Sequence, residues 1–220
     1  MMRCFHTASG RKAFNALHGH IKTLPVKEKK QMKKDLGVSA NIFPMPVLMV
    51  AAYDENGKVN VMNVAWGQAC SYEHILLCIG KGKKTLSNIQ KTGAFTVAFA
   101  DTAHMDVADF YGIASGNKID DKFERTGYHA VKSEHVNAPI IEEFPFVMEC
   151  EFVEEVDTDN LHCVVGKVVN AKAEESILDE DGKVDVTKMH ALMFDQFKHG
   201  YYEVGEHVGQ AWDAGMGLMK

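Results

Sequence analysis

The chain has 220 residues, of which 46% are hydrophobic and 25% charged, with a formal net charge of −6 at pH 7. That length suits one domain with a tail, and the composition is that of an ordinary globular protein. The acidic balance argues against a nucleic-acid partner, and no stretch approaches the roughly 18 consecutive apolar residues of a membrane span.

The charge is unevenly spread. Residues 1–31 hold seven Lys/Arg and one acid, a net of +6, which leaves −12 on residues 32–220. The first segment shows no apolar periodicity and reads as a basic leader outside the fold, with an organellar presequence or a cloning remnant as alternatives. The stretch Lys27-Glu28-Lys29-Lys30-Gln31-Met32 back-translates as AAG GAG AAA AAA CAA ATG. That places a ribosome-binding sequence just ahead of a start codon, so the native protein is expected to begin at Met32. The domain is accordingly assigned to 32–220.

In chain order, Val47–Tyr53 reads as the first strand, and Asp54-Glu55-Asn56-Gly57 as a tight turn. A return strand over 59–66 and a third over 75–79 follow. These are continuous apolar runs, as expected where both faces of a strand are covered. Lys81-Gly82-Lys83-Lys84-Thr85 leads into a short helix that ends before Gly93, with Thr85 near its start. Residues 94–100 form another strand, and a second helix over 104–111 follows the capping candidates Asp101 and Thr102. Ser115–Arg125 is polar and reads as a surface loop. Residues 145–156 and 161–173 form a long hairpin, with a further turn at 179–182. The pattern is mainly β, a barrel with a few short helices and no run of βαβ units. No Gly-x-Gly-x-x-Gly follows a strand, which counts against a dinucleotide-binding βαβ fold.

The five cysteines (Cys4, Cys70, Cys78, Cys150, Cys163) include no CxxC pair. They read as free buried thiols of a reducing, cytoplasmic compartment. No structural zinc spacing and no Ser-His-acid or Cys-His arrangement is legible, and the scattered histidines read as surface or core residues. Three places could carry chemistry. Lys81, Lys83 and Lys84 crowd the N-terminal end of a helix, where free N–H groups favour an anion, and Thr85 adds a hydroxyl; a phosphate is the natural guest. The alternative is a solvated turn that Thr85 merely caps. The small residues around Asn63-Val64-Ala65-Trp66 and on to Ser71 let backbone amides approach a flat ligand, although Trp66 could equally be core. Asp121-Lys122-Phe123 is either a third contact or a solvated charged loop.

Taken in order, Asn63-x-Ala65-Trp66, Lys83-x-Thr85-x-x-Asn88-Ile89, Gly93-Ala94-Phe95-x-Val97, Ser115-Gly116-x-Lys118, Asp121-Lys122-Phe123, Ala138-Pro139, Glu149-Cys150 and Gly166-x-Val168 resemble the flavin reductase-like (flavoredoxin) family. The match runs over about 44–205. The resemblance implies a homodimeric split β-barrel that holds FMN, in preference to FAD, near the subunit interface. It implies that Asn63, Val64, Ala65 and Trp66 flank the ring or ribityl chain and that Ser71 lies near the ribityl or phosphate end. Lys83, Lys84 and Thr85 then meet the phosphate, while Lys122 and Phe123 border the flavin. Two departures stand out: Ala98 follows Val97 where many relatives carry Asn, and lysines replace arginine in the phosphate turn, losing the bidentate fork. The implied activity is flavin reduction by NAD(P)H, with no catalytic side chain beyond those that hold the cofactor. An electron carrier reduced by a redox protein partner and a non-catalytic flavin-binding module are the rival readings.

Overall fold

In a computed structural model, residues 32–219 are described. The basic leader assigned to 1–31 lies outside the described residues. Contacts divide the chain into two units, Met1–Ser39 and Ala40–Lys220. The described part of the first, residues 32–39, contains no helix or strand.

The second unit is mainly β. Its strands are β1 (Met45–Pro46), β2 (Leu48–Tyr53), β3 (Val59–Val64), β4 (Gly67–Ala69), β5 (His74–Cys78) and β6 (Ala94–Phe99). They continue as β7 (Ala130–Lys132), β8 (Pro139–Ile141), β9 (Phe146–Asp157), β10 (His162–Ala173), β11 (Leu192–Asp195) and β12 (Gly200–Glu203). Helix α1 spans Lys84–Thr92, between β5 and β6, and α2 spans Met105–Ile113. The seven-stranded sheet has the order β3-β2-β6-β9-β10-β5-β4, while β1-β11-β12 and β7-β8 form smaller sheets.

The order itself requires curvature. β3 and β4 stand at opposite edges of the sheet, yet only Ala65 and Trp66 separate them in sequence. The sheet must therefore curl until its edges meet. Register shifts between Val165 and Gly166, and between Val168 and Asn170, mark bulges in the β9–β10 ladder that add local bend and twist. At the seam, the Cys78 N–H donates to the Trp66 carbonyl at 2.8 Å. Gly67 is the close-packed point. A Cβ there would sit 2.6 Å from Leu48 Cδ1 and 2.8 Å from Leu77 Cδ2, side chains from strands near the two edges. Gly67→Ala is therefore expected to destabilise the barrel by about 1–3 kcal/mol, the usual cost of overpacking, read as a lowered midpoint in a thermal melt.

Both faces of the sheet are covered, which accounts for the continuous apolar runs. Leu48, Val50 and Ala52 join Leu77, Phe95, Val97 and Val164 in one core, to which α1 adds Leu86 and Ile89. Val47, Met49 and Ala51 face a second core containing Ala108 and Tyr111 of α2 with Phe144 and Ile141. Buried Glu149 is tied down by a 2.6 Å hydrogen bond from Ser133 and another from the Asn170 amide. Burial alone would raise its carboxyl, but these donors hold it below the usual range. Glu149 thus stitches the 133–138 loop to β9 and β10.

The β2, β3, β5, β6 and long-hairpin expectations hold to within about two residues, the ordinary uncertainty of element ends. The strand expected over 59–66 ends at Val64 because the chain turns there to cross the seam. Asp101 caps a 3-10 turn over Thr102–His104 that leads into α2, its carboxylate accepting from the His104 N–H at 3.0 Å, whereas α2 itself has His104 at its N-cap and no side-chain cap. Two expectations need correction. The 115–125 segment is not simply a solvated loop, since Lys122 within it is only 4% exposed. Nor are all the thiols buried: Cys70 is exposed and Cys78 intermediate, whereas Cys150 and Cys163 are buried. Cys4 lies outside the described residues.

Candidate functional site

The lysine turn becomes a structured corner. Gly82, at φ +79°, turns the chain into α1, whose N-cap is Lys83 with no side-chain cap. Thr85 does not cap the helix. It is 2% exposed, and its hydroxyl accepts a 2.6 Å hydrogen bond from the Asn60 amide of β3. Its own O–H makes no other hydrogen bond among the described residues, so a donor remains. The first backbone N–H groups of α1 have no intrahelical acceptor either. One turn further along the same buried face, Asn88 Nδ2 is buried without a partner.

The cations sort themselves by pairing. Lys81 meets Asp157 at 2.7 Å and Lys84 meets Asp54 at 3.6 Å. Lys83 has no carboxylate within 4.0 Å among the described residues, nor has Lys122. The Lys122 ammonium instead lies 5.5 Å from the centre of the Tyr111 ring and donates to the Tyr111 carbonyl at 2.9 Å. That carbonyl belongs to the last turn of α2, where C=O groups lack helical partners, so Lys122 caps the helix. Burial, and then the charge of nearby Lys83, push the Lys122 ammonium down to about 8. The charge of Lys83 thus reaches the Lys122 ammonium, and neither has a carboxylate partner among the described residues.

The 115–118 turn closes this corner. Asn117 donates to the Gly82 carbonyl at 2.7 Å, and a Cβ on Gly116 would lie 2.3 Å from Asn60 Oδ1. Gly116 appears in the sequence only as a motif glycine, and Asn60 and Tyr111 were not singled out. Asn60 carried a legible signal, being an amide in a strand where asparagine is disfavoured.

Farther along, Asn63 donates to the Ala108 carbonyl at 3.0 Å and ties β3 to α2. Val64 is buried in the core, so only its backbone can meet a ligand. Ala65 and half-exposed Trp66 line a cavity of about 240 Å³ with Pro46, Gly67 and Cys78. Trp66 leans toward Phe194 with ring centres 6.5 Å apart. From Asn60 to Ala65 the strand rise gives about 17 Å, so β3 and its extension connect the cationic corner with the cavity. Phe123 is half-buried against the α2-side core. Ser71 lies apart, on the β4–β5 turn, where its hydroxyl contacts His74 Nδ1 at 2.9 Å. The structure therefore gathers Lys83, Thr85 and Lys122 at one end and Ala65 and Trp66 at the other, with Asn63 and Val64 between. Lys84 is engaged by Asp54, and Ser71 borders a different cavity, of about 400 Å³.

A mainly β chain whose seven-stranded sheet curls until its edges meet is a split barrel. The family model described as "Flavin reductase like domain" matches residues 40–199, and the chain belongs to that family of flavin-binding oxidoreductases. Flavoredoxin of Desulfovibrio vulgaris (Miyazaki F) is 33% identical, superposing with a TM-score of 0.80 over 84% of this chain and 100% of that one. Flavoredoxin from Methanosarcina acetivorans is 28% identical, with a TM-score of 0.76 over 85% and 100%. A curated protein of Archaeoglobus fulgidus is 30% identical over 155 residues, 68% of this chain and 85% of that protein.

Proposed function

We propose that the chain binds FMN, phosphate at the Lys83 corner and ring at the Trp66 cavity, and that NAD(P)H reduces it. The observation that carries this reading is that Lys83, at the start of α1, acts on the buried Lys122 ammonium while neither has a carboxylate beside it among the described residues. A phosphate would relieve the repulsion of the two ammoniums and take the free donors of Thr85 and α1. The donor set suits one mononucleotide phosphate, which favours FMN over FAD. Bound FMN would supply the hydride and electron chemistry that no side chain here provides. The chain's own task is to hold the phosphate, to fix the ring against Ala65 and Trp66, and to keep water from one side of it. Trp66 is 52% exposed, and its open side is the natural place for a second subunit to cover, so the proposed assembly is a homodimer.

The empty-site Lys122 value sets a pH dependence. The unliganded ammonium is half deprotonated near pH 8, whereas a bound phosphate would raise it again, so binding takes up protons. FMN affinity should fall only about twofold between pH 7 and 8. Above that it should weaken, by up to about tenfold per pH unit, in a titration followed by flavin fluorescence.

The reading is tested by adding NADH or NADPH to the FMN-loaded protein without oxygen and following the visible flavin band. Rapid bleaching establishes a nicotinamide-dependent reductase. Bleaching by dithionite alone supports a second reading, an electron carrier reduced by a protein partner. The two flavoredoxin likenesses, at 33% and 28% identity, favour that alternative. Failure to bind FMN overturns both.

A further inference from the structure

At the last rung of the β5–β10 ladder, Cys78 and Cys163 stand directly opposite one another. Opposed residues project from the same face of a sheet. Their sulfurs lie 2.9 Å apart, in contact as free thiols. Opposed Cβ atoms on antiparallel strands are typically about 4.5–5.5 Å apart, and a disulfide needs about 3.5–4.5 Å. Closing the bond therefore asks the strands to approach by about one ångström. The rung is where β5 ends, so little regular pairing lies beyond it to resist that shift.

The two thiols differ in access. Cys163 is fully buried, and burial with the Cys78 contact pushes its thiol up to about 12. Cys78 is half-buried and lines the cavity beside Trp66. Cys78 is thus the more accessible member of the pair, at the edge of the cavity, and Cys163 is its buried partner. Neither remaining described cysteine has this arrangement: Cys70 is exposed, and Cys150 is buried.

We propose that Cys78 and Cys163 form a thiol–disulfide exchange site for low-molecular-weight disulfides of the glutathione class, with Cys78 as the attacking thiol and Cys163 as the resolving thiol. The Cys78 thiolate attacks one sulfur of the small disulfide. Its S–S bond breaks, a mixed disulfide forms on Cys78, and the departing thiolate takes up the proton that Cys78 released. Cys163 then attacks the Cys78 sulfur while its proton passes to the second departing thiolate. The Cys78–Cys163 bond forms. Two protein thiols are oxidised and one small disulfide is reduced to two thiols, and an excess of the small thiol runs the sequence backwards. The pair borders the cavity that the proposed function gives to the flavin ring, but the exchange does not depend on that reading.

The test uses the full chain carrying Cys4→Ser and Cys70→Ser, which removes the thiols outside the described residues and at the surface. Protein with and without FMN is incubated with glutathione disulfide, quenched in acid, and read by intact mass and peptide mapping. The expected result is loss of two hydrogen masses, with the Cys78 and Cys163 peptides linked, fully reversed by reduced glutathione. Adding Cys163→Ser should trap one glutathione on Cys78, and adding Cys78→Ser should leave the chain unmodified. Absence of the linked peptide, or a link to Cys150, overturns the proposal; so does glutathione on Cys163 in the Cys78→Ser protein. The mapping of the unsubstituted pair stands even if either variant folds poorly. The FMN-free arm separates failure of this site from failure of flavin binding.

Discussion

Replacing Lys83 and Thr85 together by alanine is expected to leave a folded barrel that no longer retains FMN. Lys83 has no carboxylate neighbour among the described residues, and Thr85 keeps an O–H donor unused among them, so each has an interaction to offer an incoming phosphate. Hydrogen bonds to a charged group are each worth about 1.5–3 kcal/mol, so losing two should weaken FMN on the order of 10²–10⁴-fold. The fold should survive, because Lys83 is outside the core. Thr85→Ala does strand the buried Asn60 amide, at a cost of about 1–3 kcal/mol in stability. Thr85→Ser separates the two effects: it keeps both the hydroxyl and the Asn60 acceptor, and it should restore binding when Lys83 is present. Flavin titration and a circular-dichroism melt read the two quantities independently. Stoichiometric FMN in the double alanine variant would remove the phosphate from this corner.

Lys122→Met should have effects of opposite sign on binding and stability. Lys122 is 4% exposed, and burial, with the charge of Lys83, has driven its ammonium down to about 8, so holding it charged at neutral pH costs folding free energy on the order of 3 kcal/mol. Methionine fills much of the same space without that cost and forfeits the hydrogen bond to the Tyr111 carbonyl, worth about 1.5–3 kcal/mol, and the contact of the ammonium with the Tyr111 ring. The FMN-free melting temperature should therefore hold or rise, while FMN affinity falls by roughly tenfold or more as a charge-assisted contact is lost. A lower melting temperature with unchanged affinity would reduce Lys122 to a cap on α2.

Much of the frame was readable in the residues. The Asn56-Gly57 turn fixed the β2–β3 hairpin, and Gly93, at φ +71°, ends α1 as an αL cap should. The apolar runs announced strands covered on both faces. Less legible were β11 and β12. Their residues Phe194 and Tyr201 pack with Trp66 and α2 through contacts distant in sequence, which local pattern does not encode.

The site divides in the same way. A lysine-rich turn before a helix was visible, but which lysine remains unpaired was not. That depends on Asp157 and Asp54, which the fold delivers from elsewhere. Lys122 was hidden more deeply. In sequence it sits among charges and reads as either a third contact or part of a solvated loop, and only the packing of the 115–125 segment over the end of α2 buries it. Cys78 and Cys163, 85 residues apart, meet only because β10 crosses between β9 and β5.

The measurement that tests the central claim most directly compares FMN with riboflavin, which shares the ring and ribityl chain and lacks only the phosphate. Calorimetric titration should show FMN binding one per chain and riboflavin binding at least about a hundredfold more weakly, the worth of about two charge-assisted contacts. Equal affinities for the two would show that no phosphate sits between Lys83 and Lys122, and would contradict the account.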